Sequence, residues 1–441
     1  MTFRKNNTSF VDSIVFLSSF KAFLIMIVIF RISLDYVYVG FVSPVYIDSY
    51  LSFKLDFNIQ QYVLSWLLFL PGLIIVNYKL TKFSEYFFLS AILALIAPLT
   101  SIYGLDASKP MLPVVTTIGS IFLVYLISNG SFIKVPQVPY FRNSQNIIVY
   151  LSWLLVFYLI IWYVISGAAS NINFDPTKVY AFRDVNSKIT DVGFLAYLNL
   201  WVYKFFTIFL VSYYLYRRRI YYVILLLCIQ LLFYGVSAHK GVVFLPLLAI
   251  SVWYYFRLTN RLIIIPIIYL LVIFISYAIY VLFEYELIAA MLIRRAFYVP
   301  AGLTFEWFDF FTTNEHVYWS DKILSYFIQY PYELNIPHTV GEHLLSTELG
   351  ANNGYVSSAY AHAGIWGVII YSLILGYIIK LFNVIGRKGI PLWFMLAITV
   401  GPLRAVLTSS DLLTAIVSHG LMIAFFILIL FRSSKASNVL S

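Results

Sequence analysis

Twelve stretches of nearly unbroken apolar sequence run through this 441-residue chain, each about as long as an α-helix that crosses a hydrocarbon core. They fall at 12–32, 60–79, 85–103, 111–129, 146–166, 194–216, 220–237, 241–257, 262–283, 359–380, 390–407 and 412–431. Only 11% of the residues are charged and 62% are apolar, whereas ordinary globular domains are about a quarter charged and half apolar. Such a chain cannot wrap a core in a polar surface. The expected fold class is an all-α polytopic membrane protein of about twelve transmembrane helices, because only helices or closed barrels satisfy their backbone in lipid. The first apolar run follows basic residues and has no small-residue cleavage site near Arg31 to Asp35, so it reads as a retained helix, not a cleaved signal. Cys228 stands alone, so an outward-facing domain has to hold its shape without an internal disulfide.

The net charge of +10 invites a nucleic-acid reading, which the distribution of charge removes. With the N-terminus inside, sixteen of the 29 Lys and Arg fall on cytoplasmic segments and ten on outer ones, while all acids except Asp12 and Glu85 fall outside. That is the positive-inside pattern, with both termini cytoplasmic. The expected organisation is nine helices in 1–283, one long outer loop with short helices over 284–358, and three helices in 359–441. Loops of that length in a compact fold are usually functional. The loop opens on spaced aromatics around Arg294 and Arg295, a pattern that predicts an amphipathic helix at the interface.

Two constellations carry candidate chemistry. All six histidines, His239, His316, His338, His343, His362 and His419, fall on the outer side of this topology. Arg183, Lys240, Arg294, Arg295 and Arg404 lie at or near the outer boundary, where a positive charge needs water or an anion. Arginine grips phosphate through a planar fork, so a lipid-linked diphosphate is the natural ligand. His338, Glu342 and His343 resemble a metal set, but Pro337 and Gly341 weaken the helix and His343 points to another face; no metal or cofactor is expected. No G-x-S-x-G elbow, Walker loop or G-x-G-x-x-G is present.

Three segments resemble the O-antigen (oligosaccharide repeat unit) polymerases of the Wzy type: SAHKGVVFLPLL at 237–248, RRAFYVPAGLTFEWFDFF at 294–311, and GANNGYVSSAYAHAGIWGVIIYSLILGYIIK at 350–380, whose Gly364 and Gly367 match a helix start. The resemblance implies a GT-C-like glycosyltransferase of the bacterial inner membrane. It implies transfer of a glycan from undecaprenyl diphosphate to another lipid-linked repeat unit at the periplasmic face, among membrane lipids and with a chain-length regulator as a candidate partner. It also implies glycan contacts at Asn352, Asn353 and Tyr355. The related ligases carry a His-Asn pair where this chain has Asn352 and Asn353, so the general base is sought among His338, Glu342, His343 and Glu348, with His343 first. The alternatives are an O-antigen ligase and, from a different class, a lipid-linked polysaccharide flippase or other transporter. Unlike halves and polar residues concentrated outside the midplane speak against a transporter.

Overall fold

A computed structural model describes residues 19–131, 133–135, 142–175, 179–387 and 389–432, and these contain helices and connections but no strand. In chain order the helices are α1 (Phe20–Tyr46), α2 (Ile59–Ile74), α3 (Phe83–Leu105), α4 (Leu112–Asn129), α5 (Ser144–Ile165), α6 (Val179–Thr190), α7 (Phe194–Tyr216), α8 (Ile220–Ser237), α9 (Lys240–Phe256), α10 (Ile264–Phe283), α11 (Glu286–Thr313), α12 (Ile336–Leu344), α13 (Tyr355–Gly386), α14 (Leu392–Thr408) and α15 (Leu412–Phe431). Ten of them are long and apolar enough to cross a membrane; α2, α9 and α14 are shorter apolar helices. The chain is an all-helical, multi-pass membrane protein.

A helix is found at each expected stretch, but those at 60–79, 241–257 and 390–407 give only the shorter α2, α9 and α14, and two larger differences follow. The first was expected to end near residue 32 but continues to Tyr46, and its expected start, 12–18, lies outside the described residues. Arg31 and Asp35 do not end it, because at i, i+4 they pair on one face. The second difference is α11, which takes up the first third of the stretch expected as one outer loop and leaves 314–354 as the connection to α13.

The chain divides into two units. Unit 1 comprises 1–133, 261–380 and 404–412, and its two ends follow from its backbone contacts. At one, the loop end, the α1–α2 and α3–α4 connections meet: Asp56 N–H donates to Leu105 O at 3.0 Å and Ala107 N–H to Asp56 O at 2.8 Å. At the far end, Leu262 N–H donates to Tyr78 O at 2.8 Å and Lys380 reaches Gly130 O. Helix α10 therefore runs from the far end to the loop end, where Glu284 (φ 52°) turns the chain into α11.

Helix α11 stays near the loop end despite its length. Its first residue, Glu286, accepts from Tyr46 at the tip of α1, and Glu306, twenty residues on, pairs at 3.0 Å with Lys109 of the α3–α4 connection. Between them it dips, packing Phe297 on Phe30 and Tyr269 and sending the Tyr298 hydroxyl to Leu34 O at 2.5 Å. A π-helical turn over Ala290–Tyr298, followed by Pro300, supplies the bend.

The segment after α12 re-enters the unit. Tyr355 donates to or accepts from Ser120 at 2.7 Å, and Ser120 meets Ser372 at the same distance. Ser120 lies eight residues into α4, so residues 353–355 sit roughly 12 Å below the loop end. From there α13 climbs to Ala363 and Gly364, where φ of 58° at Gly364 breaks the helix and sends its long second part down. Irregular backbone at that depth is tolerated only when buried in protein or lining a water-filled cavity. Here Asn353 satisfies it, accepting from Gly354 N–H at 2.9 Å and donating to Thr304 at 3.1 Å and Ser357 at 2.9 Å. Gly354 is required because a Cβ there would run into Leu407 O.

Unit 2 comprises 134–260, 381–403 and 413–441. Helix α6 is tied to one end of α8 by Asn186, which donates to Val236 O at 2.8 Å. The three-arginine turn 217–219 lies at the opposite end of α8.

Candidate functional site

The loop end of unit 1 carries three arrangements that bear on chemistry. The first is built on Arg294, which the π-helical turn of α11 points at the tip of α1. Its guanidinium lies 4.1 Å from the ring centre of Tyr46, 5.8 Å from Tyr50 and 6.0 Å from Phe53, the last two in the connection that follows α1. Its Nε is buried without a hydrogen-bond partner. The nearby Glu286 accepts from Tyr46. An aromatic cage holds the charge by cation–π attraction and leaves the fork to meet an anion.

The second arrangement is the ledge formed by α12 and Gly350. Asn335 caps α12, accepting from His338 N–H at 3.2 Å. The His338 Nδ1 sits 2.8 Å from Thr347 O. A carbonyl only accepts, so Nδ1 carries the proton and Nε2 presents its lone pair. That edge of the ring lies close to Gly350, where an added Cβ would stand 3.7 Å from Nε2. This is the geometry of an oriented base.

The third arrangement was not singled out in the sequence. Asp411, between α14 and α15, binds Lys322 Nζ at 2.7 Å and accepts from the Tyr371 hydroxyl at 2.8 Å. His362, fully buried, approaches Asp411 with Nε2 at 3.6 Å, accepts at Nδ1 from Trp319 N–H at 3.3 Å and stacks on the Trp319 ring. Burial alone would raise the Asp411 pKa; the His362 ring and the Lys322 charge outweigh it and hold the carboxyl well below the usual range. With its Nδ1 lone pair committed to a backbone donor, His362 positions the 317–322 loop and is no free base. Asp411→Leu is expected to cost about 2 kcal/mol by removing the carboxylate that Lys322, Tyr371 and His362 share and freeing the loop, read as a lower unfolding midpoint in detergent. The depressed pKa makes this contribution complete at neutral pH, to be lost only below about pH 4. A wild-type midpoint for the variant would refute the clamp.

The other expected residues are dispersed. Arg295 and Arg404 are exposed, and Glu342, His343 and Glu348 are exposed on or just after α12, His343 with its edge to Phe310. Lys240 begins α9 in unit 2, and Arg183 falls on α6 where side chains lie outside the described residues. The five cations are therefore not brought into one contact shell within unit 1. Of the three expected glycan contacts, only Asn352 is exposed. Asn353 and Tyr355 are buried with their polar atoms bonded internally. One signal for the Asp411 clamp was in the sequence: Asp411 is the only acidic side chain after Glu348.

The intramembrane charge at Arg31 has a different character. Nothing of it is exposed, and it spans Asp35, Thr100 (3.1 Å) and Ser65 (3.3 Å), while Ser101 and Tyr62 donate to Asp35 at 2.6 and 3.0 Å. Every group has a partner, which makes it a brace between α1, α2 and α3.

No family model matches the sequence, and neither a curated protein nor a solved structure matches it.

Proposed function

We propose that the chain is a lipid-linked oligosaccharide polymerase, a metal-independent glycosyltransferase of the O-antigen polymerase type acting at the outer face of a bacterial inner membrane. The observation that carries the reading is Arg294, a caged guanidinium with an unpartnered Nε on the helix that leads into a connection of about forty residues in an otherwise apolar chain. In the proposed reaction an acceptor hydroxyl attacks the anomeric carbon of a glycan carried on undecaprenyl diphosphate. The new glycosidic bond forms as the carbon–oxygen bond to the diphosphate breaks. The diphosphate leaves with the electron pair, its growing charge met by Arg294, and the hydroxyl proton passes to His338 Nε2.

The test is elongation of purified undecaprenyl-diphosphate repeat units by the purified protein, with and without chelator. A ladder of products unaffected by chelator is expected; a protein that never lengthens the glycan refutes the reading. Arg294→Ala is expected to lower polymer formation about 100-fold with the protein still inserted. Exposed Arg295→Ala should stay within a few-fold of wild type. Equal activity of the two variants would remove the diphosphate role from Arg294.

A further inference from the structure

The strongest unused feature is the end of unit 2 that carries Arg217, Arg218 and Arg219. The only Asp and Glu residues in the ranges of this unit are Asp175, Asp184 and Asp191. They belong to the segment tied to the opposite end of α8, where Asn173 N–H donates to Gly235 O at 2.9 Å. From residue 219 to residue 236 the helix rises roughly 25 Å, so these acids do not reach the arginines.

The turn splays its three guanidinium groups. Arg217 and Arg219 line a pocket of about 220 Å³ with Asn146, Trp153, Tyr213 and Tyr214. Arg218 lines a separate pocket of about 550 Å³ with Arg257, Trp253, Ile220 and Leu258. Between them Arg218 holds a φ of 57°, a left-handed backbone that costs a residue with a Cβ of order 1 kcal/mol. Arg217 is held by Tyr213, with its guanidinium 5.7 Å from the ring, and Arg257 lies 4.4 Å from the Trp253 ring. Both pockets open beside exposed apolar surface: Tyr150 and Leu154 below the first, Tyr221, Ile224 and Leu258 around the second.

We propose that this turn is a double anchoring site for anionic phospholipid, with one lipid phosphate held by Arg217 and Arg219 and another by Arg218 and Arg257. The complement is amphiphilic. Arginine forks with tyrosine and tryptophan walls suit a phosphate headgroup at the membrane interface, and the exposed side chains beneath suit its acyl chains. A soluble phosphate would use the forks and leave the apolar flank uncovered. Basic clusters at membrane ends attract anionic lipid by about 1 kcal/mol per residue, and no carboxylate in the unit's own ranges competes here.

The test uses the full chain in neutral detergent. Phosphatidylglycerol or cardiolipin is added, with phosphatidylcholine and inorganic phosphate as separate arms, and unfolding midpoint and lipid retention by native mass spectrometry are read. The anionic lipids are expected to raise the midpoint by about 5 °C and to remain bound, with the effect shrinking in high salt. Arg217→Gln/Arg219→Gln and Arg218→Gly/Arg257→Gln should each lose about half the shift. Arg218→Gly alone relieves the left-handed backbone, so it should fold at least as well as wild type without lipid yet respond less to it. An equal shift with phosphatidylcholine or inorganic phosphate would overturn the proposal, as would an unchanged response in both double variants.

Discussion

Asp35→Leu, made with Arg31 in place, is expected to destabilise unit 1 by roughly 3 to 5 kcal/mol, the cost of stranding a buried charge. That is a large share of the stability of an ordinary domain. Arg31 lies over the Trp66 ring at 5.0 Å and has no exposure through which to find water. The double variant Arg31→Met/Asp35→Leu removes both charges and is expected to recover most of the loss, because matched apolar groups replace a buried pair at little net cost. Ser65, Thr100, Ser101 and Tyr62 then lose partners. Ser65 and Thr100 also donate to the carbonyls of Tyr62 and Ile96, which limits the penalty. Unfolding midpoints and folded yield in detergent decide it. If the single and double variants fall equally, the pair is no brace, and a role in moving charge through the bundle becomes the better reading of Arg31.

The brace shows where sequence stops being legible. Apolar length located a helix at each expected stretch, three of them shorter than a full span, because a helix in lipid must satisfy its own backbone over a fixed thickness. The same rule misplaced the end of α1: a charged pair inside a span looks like the end of one unless its partners are known, and Thr100 and Ser65 are 69 and 34 residues away from Arg31. A helix at the start of α11 was legible from its spaced aromatics. Its dip onto Phe30 was not, since a π-helical turn has no simple sequence mark. At the candidate site, residue type was legible and partnership was not. Tyr355 in an Asn-Gly-Tyr run reads as a ligand contact until Ser120, 235 residues away, is found to take its hydroxyl. Asp411, Lys322 and His362 come from three separate segments, and only the fold brings them together.

His338→Gln is expected to reduce polymer formation by 100-fold or more, within the range a positioned general base supplies. Four candidates were open in the sequence, with His343 first, and hydrogen-bond geometry separates them. His343, Glu342 and Glu348 are exposed, so each is screened by water, and among the described residues no hydrogen bond fixes the His343 ring that packs on Phe310. The His338 ring is held by Thr347 O, and its free nitrogen lies close to the Gly350 segment that leads into the re-entrant turn. A base contributes in proportion to how well it is placed before the proton moves, so His338 should outweigh the other three. Glutamine keeps a donor for Thr347 O but offers no basic nitrogen, which separates loss of the base from loss of the ledge. Donor binding should therefore be preserved, with the fall in kcat and not in KM, whereas Arg294→Ala should act on both. His343→Ala, Glu342→Gln and Glu348→Gln should each stay within a few-fold of wild type. A His338→Gln protein that builds chains of normal length at the normal rate removes the base from α12, and a comparable loss in His343→Ala instead would return it to the exposed side of the same helix.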